Sequence, residues 1–297
     1  MTPPFTTATD LSMRRAHDDS PMTRGEDLAQ RLTHRAPPIN EIALSVSTMQ
    51  GGVIDPYDVR GLHESFPGLP NAERQGSVGV LELANLVGGG TNNLDFSTGP
   101  PQKWWFVSED ETRVLQAQDN LFSYNWRRAR AQLGSLVDYP GFDKILEEFG
   151  ERLTQLRRWH ENGRKNLPIP SGCELMYDNV IPLLDGEGKK IPLSEALVEF
   201  DRADADRPSS GWNASWFETI DGLKDGDPST LRIHLFHLGM ISPETGELSP
   251  ILKMTFTAGA ARSSWEEVED FFRIAHAHVQ KRFLALIDRK VQATWNK

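Results

Sequence analysis

Apolar residues fall at every second position through much of this chain and at every third or fourth in two long stretches. That pattern predicts strands and helices together. In "INEIALSVST", Ile42, Leu44 and Val46 alternate with Ala43, Ser45 and Ser47, as in a strand with one buried face. "DPYDVRGLHESFP" starts as a helix, with Asp55 as N-cap and Pro56 at the first position, and stops at Pro67. The apolar run "GSVGVLELANLVGGGTNN" breaks at Gly88, Gly89 and Gly90. "KWWFVS", the turn "EDET" and "RVLQAQDNLFSYNW" then predict an antiparallel hairpin. In "YPGFDKILEEFGERLTQLRRWHENG", Phe142, Ile145, Leu146, Phe149, Leu153 and Leu156 keep helical spacing up to Gly163. Arg157, Arg158 and His160 suit the negative end of that helix.

A second strand, "CELMYDNVIPL", follows. Between Leu193 and Ser229 the pattern gives a short helix "LSEALVEF", an acidic loop and the Trp-rich "GWNASWFETIDGL". "TLRIHLFHLGM", the turn "SPETGEL" and "SPILKMTFTA" predict a second long hairpin. The chain then closes on a helix of many turns beginning at "SSWEEVEDFF", with Ser264 as cap and Glu266 and Glu267 in its first turn. The order strand–helix–hairpin–long helix thus occurs twice, over residues 35–163 and 173–297. The expected fold is α+β: two such halves forming one or two antiparallel sheets backed by the long helices. Residues 1–25, polar and without periodicity, are expected to be a disordered tail, and Met13 and Met22 are candidate alternative starts.

Read as one strand, "RVLQAQDNLFSYNW" sets Val114, Gln116, Gln118, Asn120, Phe122, Tyr124 and Trp126 on one side. Leu115, Ala117, Asp119, Leu121, Ser123 and Asn125 fall on the other. Two readings stand for the row of amides. They lie on a solvated sheet face, with the leucines toward a helix, or they form one wall of a polar groove that recognises a peptide, nucleotide or small polar ligand. On the second reading the candidate ligand-binding residues are Gln116, Gln118, Asn120, Tyr124, Trp126 and Arg127. Asp119 on the leucine side then needs a partner such as Arg127 or Arg128.

Composition narrows the partners. A formal net charge of -10 over 297 residues, with a pI near 5.3, argues against a dedicated nucleic-acid binder. A local basic patch such as "NWRRARAQ" is still compatible with that balance. Phe122, Tyr124 and Trp126, with Trp104 or Trp105 across the hairpin, could stack bases, but the glycines of that sheet-based RNA motif are missing. One cysteine, Cys173, allows no intramolecular disulfide and no multi-cysteine zinc site. No apolar run reaches the length of a membrane span, and the N-terminal residues lack the apolar core of a signal peptide, so a cytoplasmic protein is expected.

Catalytic chemistry finds little to hold. "GGGTNN" has neither the Lys-Ser/Thr of a P-loop nor dinucleotide spacing, and no G-x-S-x-G occurs. His276 and His278 lie two apart on a helix and point about 200° apart. His234 and His237, three apart on a strand, face opposite ways. The acidic groups Asp201, Asp204, Asp206 and Asp221, Asp225, Asp227 match no EF-hand loop. The expectation is no metal, no cofactor and no assigned catalytic residue, with enzymatic activity left open.

The opening "PPINEIALSVS", the block "WFVSEDETRVLQAQDNLFSYNWRR", the "YPGF" helix start and the closing "FFRIAHAHVQKRF…TW" resemble a sporadically distributed bacterial family of uncharacterised proteins. That family has a Pro-Pro-x-x-Glu opening, an LQxQ…F…NWR core block and a C-terminal helix ending in Trp. This chain departs from the pattern at Asn120, where the family carries an acid; Asp119 stands beside it. The scattered distribution resembles that of mobile phage-defence or toxin–antitoxin genes. The family supplies no reaction; the reading of the residues themselves is a non-catalytic recognition or assembly protein with a protein partner or second copy, or a small polar ligand or peptide. The alternatives are a hydrolase or nucleotide-processing enzyme with scattered site residues, and a nucleic-acid-binding regulator.

Overall fold

Among the described residues the strands join in one sheet. The computed structural model describes residues 37–49, 52–54, 59–75, 103–128, 139–163, 165–198, 212–220, 223, 229–241 and 248–296. The tail over residues 1–25, the Asp55 cap, the "GGGTNN" loop and both acidic loops other than Leu223 lie outside them. In chain order the elements are β1 (Ile39–Thr48), α1 (Val59–Glu64), β2 (Asn71–Gln75), β3 (Lys103–Val107), β4 (Arg113–Gln118) and β5 (Leu121–Arg127). Then come α2 (Phe142–Asn162), β6 (Pro170–Pro182), α3 (Leu193–Ala196), β7 (Trp212–Thr219), β8 (Thr230–Ile241), β9 (Leu248–Ala260), α4 (Trp265–Leu286) and α5 (Arg289–Gln292). A last 3-10 turn covers Ala293–Asn296. Among the described residues nine strands run β2-β3-β4-β5-β1-β6-β9-β8-β7, every neighbour antiparallel, so the fold is α+β.

The predicted first hairpin is in fact three strands. Asp119 and Asn120 form a turn between β4 and β5, and Gln118 pairs with Leu121 across it. Three bonds hold that turn to the end of β1 and the residues after it. Thr48 N–H donates to Asn120 O, Val53 N–H to Asp119 O, and Gly52 N–H to Asp119 Oδ1. The carboxylate at Asp119 is therefore used in the turn, not paired with Arg127 or Arg128. The earlier turn, between β3 and β4, is built around Asp110, which accepts from Ser108 Oγ, Thr112 N–H and Thr112 Oγ1. Glu111 takes a left-handed φ of 57° there.

One face of the sheet is dry. Ile42, Leu44 and Val46 of β1, Phe122, Tyr124 and Trp126 of β5, Leu175 and Tyr177 of β6, and Leu252, Met254 and Phe256 of β9 are all buried on it. α2 and α4 cover this helix face and meet each other, Phe149 packing edge-on against Phe272 at 5.4 Å. An ion pair ties α2 to the sheet: Arg113 Nε and Nη2 donate to Glu148 Oε2 and Oε1 at 2.6 and 3.2 Å, and Tyr124 OH donates to Oε2 at 2.9 Å. Burial works against the Glu148 carboxylate, but these donors outweigh it and hold its pKa below the ordinary value.

The closing helix is shorter than the periodicity predicts. Ser264 caps it by accepting from Glu267 N–H, as expected, yet it stops at Leu286. Ile287 turns extended and pairs with Leu197, and Asp288 then caps α5 by accepting from Lys290 N–H. The end is set by that bridge and cap, which the apolar spacing does not reveal.

Candidate functional site

The face turned away from α2 and α4 is polar at its centre, as the uncovered face of an antiparallel sheet commonly is, but several of its polar side chains are buried. β1 is the middle strand, and its register places Glu41 opposite Arg127 of β5 on one side and Asp178 of β6 on the other. Asn125 Nδ2 donates to Glu41 Oε1 at 2.6 Å, Ser123 Oγ donates to Asn125 Oδ1 at 2.9 Å, and the Ser45 and Ser123 hydroxyls lie 2.7 Å apart. Across β1, Asp178 Oδ2 accepts from Asn40 Nδ2 at 3.0 Å. Its Oδ1 accepts from Thr255 Oγ1 at 3.1 Å and pairs with Lys253 Nζ at 3.2 Å. Ser123, Asn125 and Asp178 are buried, so each needs the bonds it makes.

Two carboxylates thus sit side by side. Burial raises the Glu41 pKa, and the charge of Asp178 across the strand pair raises it further. The Asn125 hydrogen bond and the charges of Arg127 and Lys253 pull the other way and do not cancel the rise. A carboxyl biased toward its protonated form beside an ion-paired one can donate or accept a proton. It can equally fix a polar ligand.

The predicted ligand-binding residues do not all share a face. Paired residues share a face, and Leu115 pairs with Tyr124, Ala117 with Phe122, and Gln116 with Ser123. The turn at Asp119–Asn120 therefore reverses the alternation. Gln116, Gln118 and Arg127 lie on the polar face, Tyr124 and Trp126 lie in the core under α2, and Asn120 sits in the turn. Leu121, expected beside Leu115, shares the polar face with Gln118. Gln118 Nε2 donates to Asn120 Oδ1 at 2.9 Å, and Arg127 Nε donates to Glu111 O at 3.0 Å. Gln116 is half-buried, so Gln116→Ala should move the denaturation midpoint by less than about 0.5 kcal/mol. Leu115→Ala, one position away on the opposite face, should cost about 2–5 kcal/mol. Equal effects would show that the two faces of β4 are misassigned.

Glu41, Asn125 and Asp178 escape sequence reasoning because each lies in a different strand and no spacing links them. A weak signal exists: Ser45, Ser123 and Asn125 are small or amide residues at alternate positions of otherwise β-rich strands. The histidine pairs behave as spaced, His234 pairing with Thr255 and His237 with Leu252 on opposite faces. Cys173 is buried in β6 with its thiol 3.7 Å from Ala260 O. Among the described residues no three His, Cys, Asp or Glu side chains gather as a metal site. No described helix is long and apolar enough to cross a membrane. No known protein family model matches the sequence, and no curated protein matches it.

Proposed function

We propose that the chain is a non-catalytic recognition protein whose polar sheet face takes a small polar ligand or a protein partner, as one component of a phage-defence or toxin–antitoxin operon. The contrast between the two faces carries the reading. The helix face is dry, whereas the polar face holds a linked set of hydrogen-bonding groups around Glu41 and Asp178. Half-exposed Trp105 and Phe236 and exposed Phe217 flank that set. A polar centre with aromatic flanks suits binding better than it suits a merely wetted sheet. The operon context rests on the resemblance of the 105–128 block to a family of scattered distribution.

The plan of the chain supports a site at this place. β1 and β6 each open a run in which a short helix, further strands and a long helix follow, and the last strand of each run pairs with the first. On that reading the chain is two halves joined along β1 and β6, and Glu41 and Asp178 face each other across the joint. Ligand sites favour such seams.

The hydrolase reading keeps one specific observation, the raised Glu41 carboxyl beside Asp178. Glu41→Gln separates the two, because it retains a side-chain oxygen for the Asn125 hydrogen bond while removing the titrating proton. Activity would be read in cells carrying the intact operon under phage challenge. Recognition predicts that Glu41→Gln stays active and that Phe217→Ala, at an exposed position, loses activity without loss of stability. A drop of about 10²–10⁴-fold in Glu41→Gln would instead install the carboxyl as a general acid or base. Full activity in Phe217→Ala together with Gln116→Ala would sink the recognition reading.

A further inference from the structure

We propose that the corner of the polar face formed by β3, β4 and β5 binds a phosphate group, held by Lys103, Trp105, Gln118 and Arg127. The proposal rests on the reading of that face as a recognition surface and names its ligand class.

Three polar groups at this corner lack what burial demands. Lys103 is only 6% exposed, and among the described residues its ammonium meets the Trp105 ring, 5.3 Å from the centroid, and the distant charge of Glu41. A lysine taken this far from water without an ion pair is costly and rare. Gln118 is 2% exposed; its Nε2 is spent on Asn120, and its Oε1 is buried with no partner among the described residues. Trp105 Nε1 is buried and likewise without a partner. Lys103 and Gln118 are paired across β3 and β4, about 5 Å apart at Cβ, and Trp105 stands two residues along β3, about 7 Å away on the same face. Each unmet buried group weighs against the fold. A fold that keeps three of them in one place is poised for a ligand that satisfies all three.

The chemistry of the three selects the ligand. Arg127 brings a second cation to the same indole, 5.7 Å from the ring centroid, where its bond to Glu111 O anchors it. Two cations and an indole N–H call for an oxyanion. The lone acceptor, Gln118 Oε1, then calls for an oxyanion that still carries a proton. Carboxylates and sulfate are fully ionised near neutral pH and offer none. A phosphate group, whose second ionisation lies near pH 6, presents an O–H on a fraction of molecules and can donate to Gln118 while its other oxygens accept from Lys103, Trp105 and Arg127.

Calorimetric titration of the full chain tests this, with inorganic phosphate, sulfate and a nucleoside monophosphate as separate ligands. Phosphate should bind saturably and at least about tenfold more tightly than sulfate. Lys103→Met should weaken phosphate about tenfold or more while the protein melts no earlier than wild type, since an unpaired buried ammonium is removed. Gln118→Leu should keep phosphate binding but erase the preference over sulfate. Trp105→Phe, which keeps the ring and removes the N–H, should weaken phosphate and serves in place of Lys103→Met if that variant does not fold. A nucleoside monophosphate binding more tightly than inorganic phosphate would place the source on a nucleotide; equal binding would place it on free phosphate. No binding of phosphate, equal binding of sulfate by wild type, phosphate binding undiminished in Lys103→Met, or an undiminished preference over sulfate in Gln118→Leu overturns the site. If phosphate fails to bind while Phe217→Ala still loses activity in cells, the phosphate site falls and the recognition surface stands.

Discussion

Phe272→Ala is expected to lower the stability of the folded chain by about 3–5 kcal/mol, read as the shift of a urea denaturation midpoint at constant slope. Phe272 is fully buried in α4, where it packs edge-on against Phe149 of α2 at 5.4 Å and lies 6.0 Å from Phe271. Removing the ring leaves a cavity between the two long helices and the sheet. Neither helix can close it alone, because α2 is pinned to β4 and β5 by the Arg113–Glu148–Tyr124 bonds. Glu269→Ala, three residues earlier on the exposed side, removes only a surface pair with Arg273 and should cost less than about 1 kcal/mol. A midpoint for Phe272→Ala no lower than that of Glu269→Ala would mean that α4 does not cover the core. The same comparison would then favour a projecting helix that docks on a partner.

What the sequence made legible was whatever repeats at a fixed period. On α4, Val268, Phe272, Ala275, Val279, Phe283 and Leu286 are buried at helical spacing with Trp265 half-buried at its start, and on α2 Phe142, Ile145, Leu146, Phe149 and Leu156 are buried with Leu153 half-buried. β1, β6 and the β8–β9 hairpin also follow from alternation. The candidate site was illegible because it depends on register. A turn at Asp119–Asn120 is enough to exchange the two faces of everything after it, and neither residue is a glycine that would have announced the turn. β2, "NAERQ", has no apolar alternation and exists only through its pairing with β3. β7 lies in the Trp-rich segment, whose pattern assigns it no element. Its alternation, Ala214 and Trp216 against Ser215 and Phe217, looks apolar on both faces and so marks neither.

The polar face has a further consequence for how the two faces divide their duties. Groups on that face bond one another across β1, β5 and β6. Trp105, Phe217 and Phe236 on the same face are partly open. Gln116 and Gln118 lie on the opposite face from Tyr124 and Trp126, so these four do not line one groove.

Acidification from pH 6.5 to pH 4 should destabilise the folded chain by up to about 3 kcal/mol through His276 alone. The imidazole stacks on Phe142 of α2 at 3.8 Å, and its Nδ1 shares a 2.6 Å hydrogen bond with the hydroxyl of Tyr177. Burial pushes its pKa down from the ordinary 6.5 to about 4, and Asp143, the one nearby charge that favours the imidazolium, offsets only part of this. Tyr139 and Tyr177 beside it are held neutral, their pKa values raised by burial, so they supply no compensating charge. Because the folded-state pKa is depressed, the unfolded chain binds a proton between pH 6.5 and 4 that the folded chain refuses. Stability is therefore complete above about 6.5, falls as the pH is lowered, and levels off for this group below about 4. His160, whose pKa burial also lowers, adds to the loss in the same direction. His276→Gln isolates the effect, since glutamine keeps a polar partner for Tyr177 and does not titrate. Denaturation midpoints of wild type and His276→Gln, measured at intervals across this window, should converge toward pH 4 as the wild type loses its advantage. Parallel stability curves for the two proteins would show that His276 takes up its proton in the folded state as readily as in the unfolded one, and that the pocket beneath Phe142 is wet.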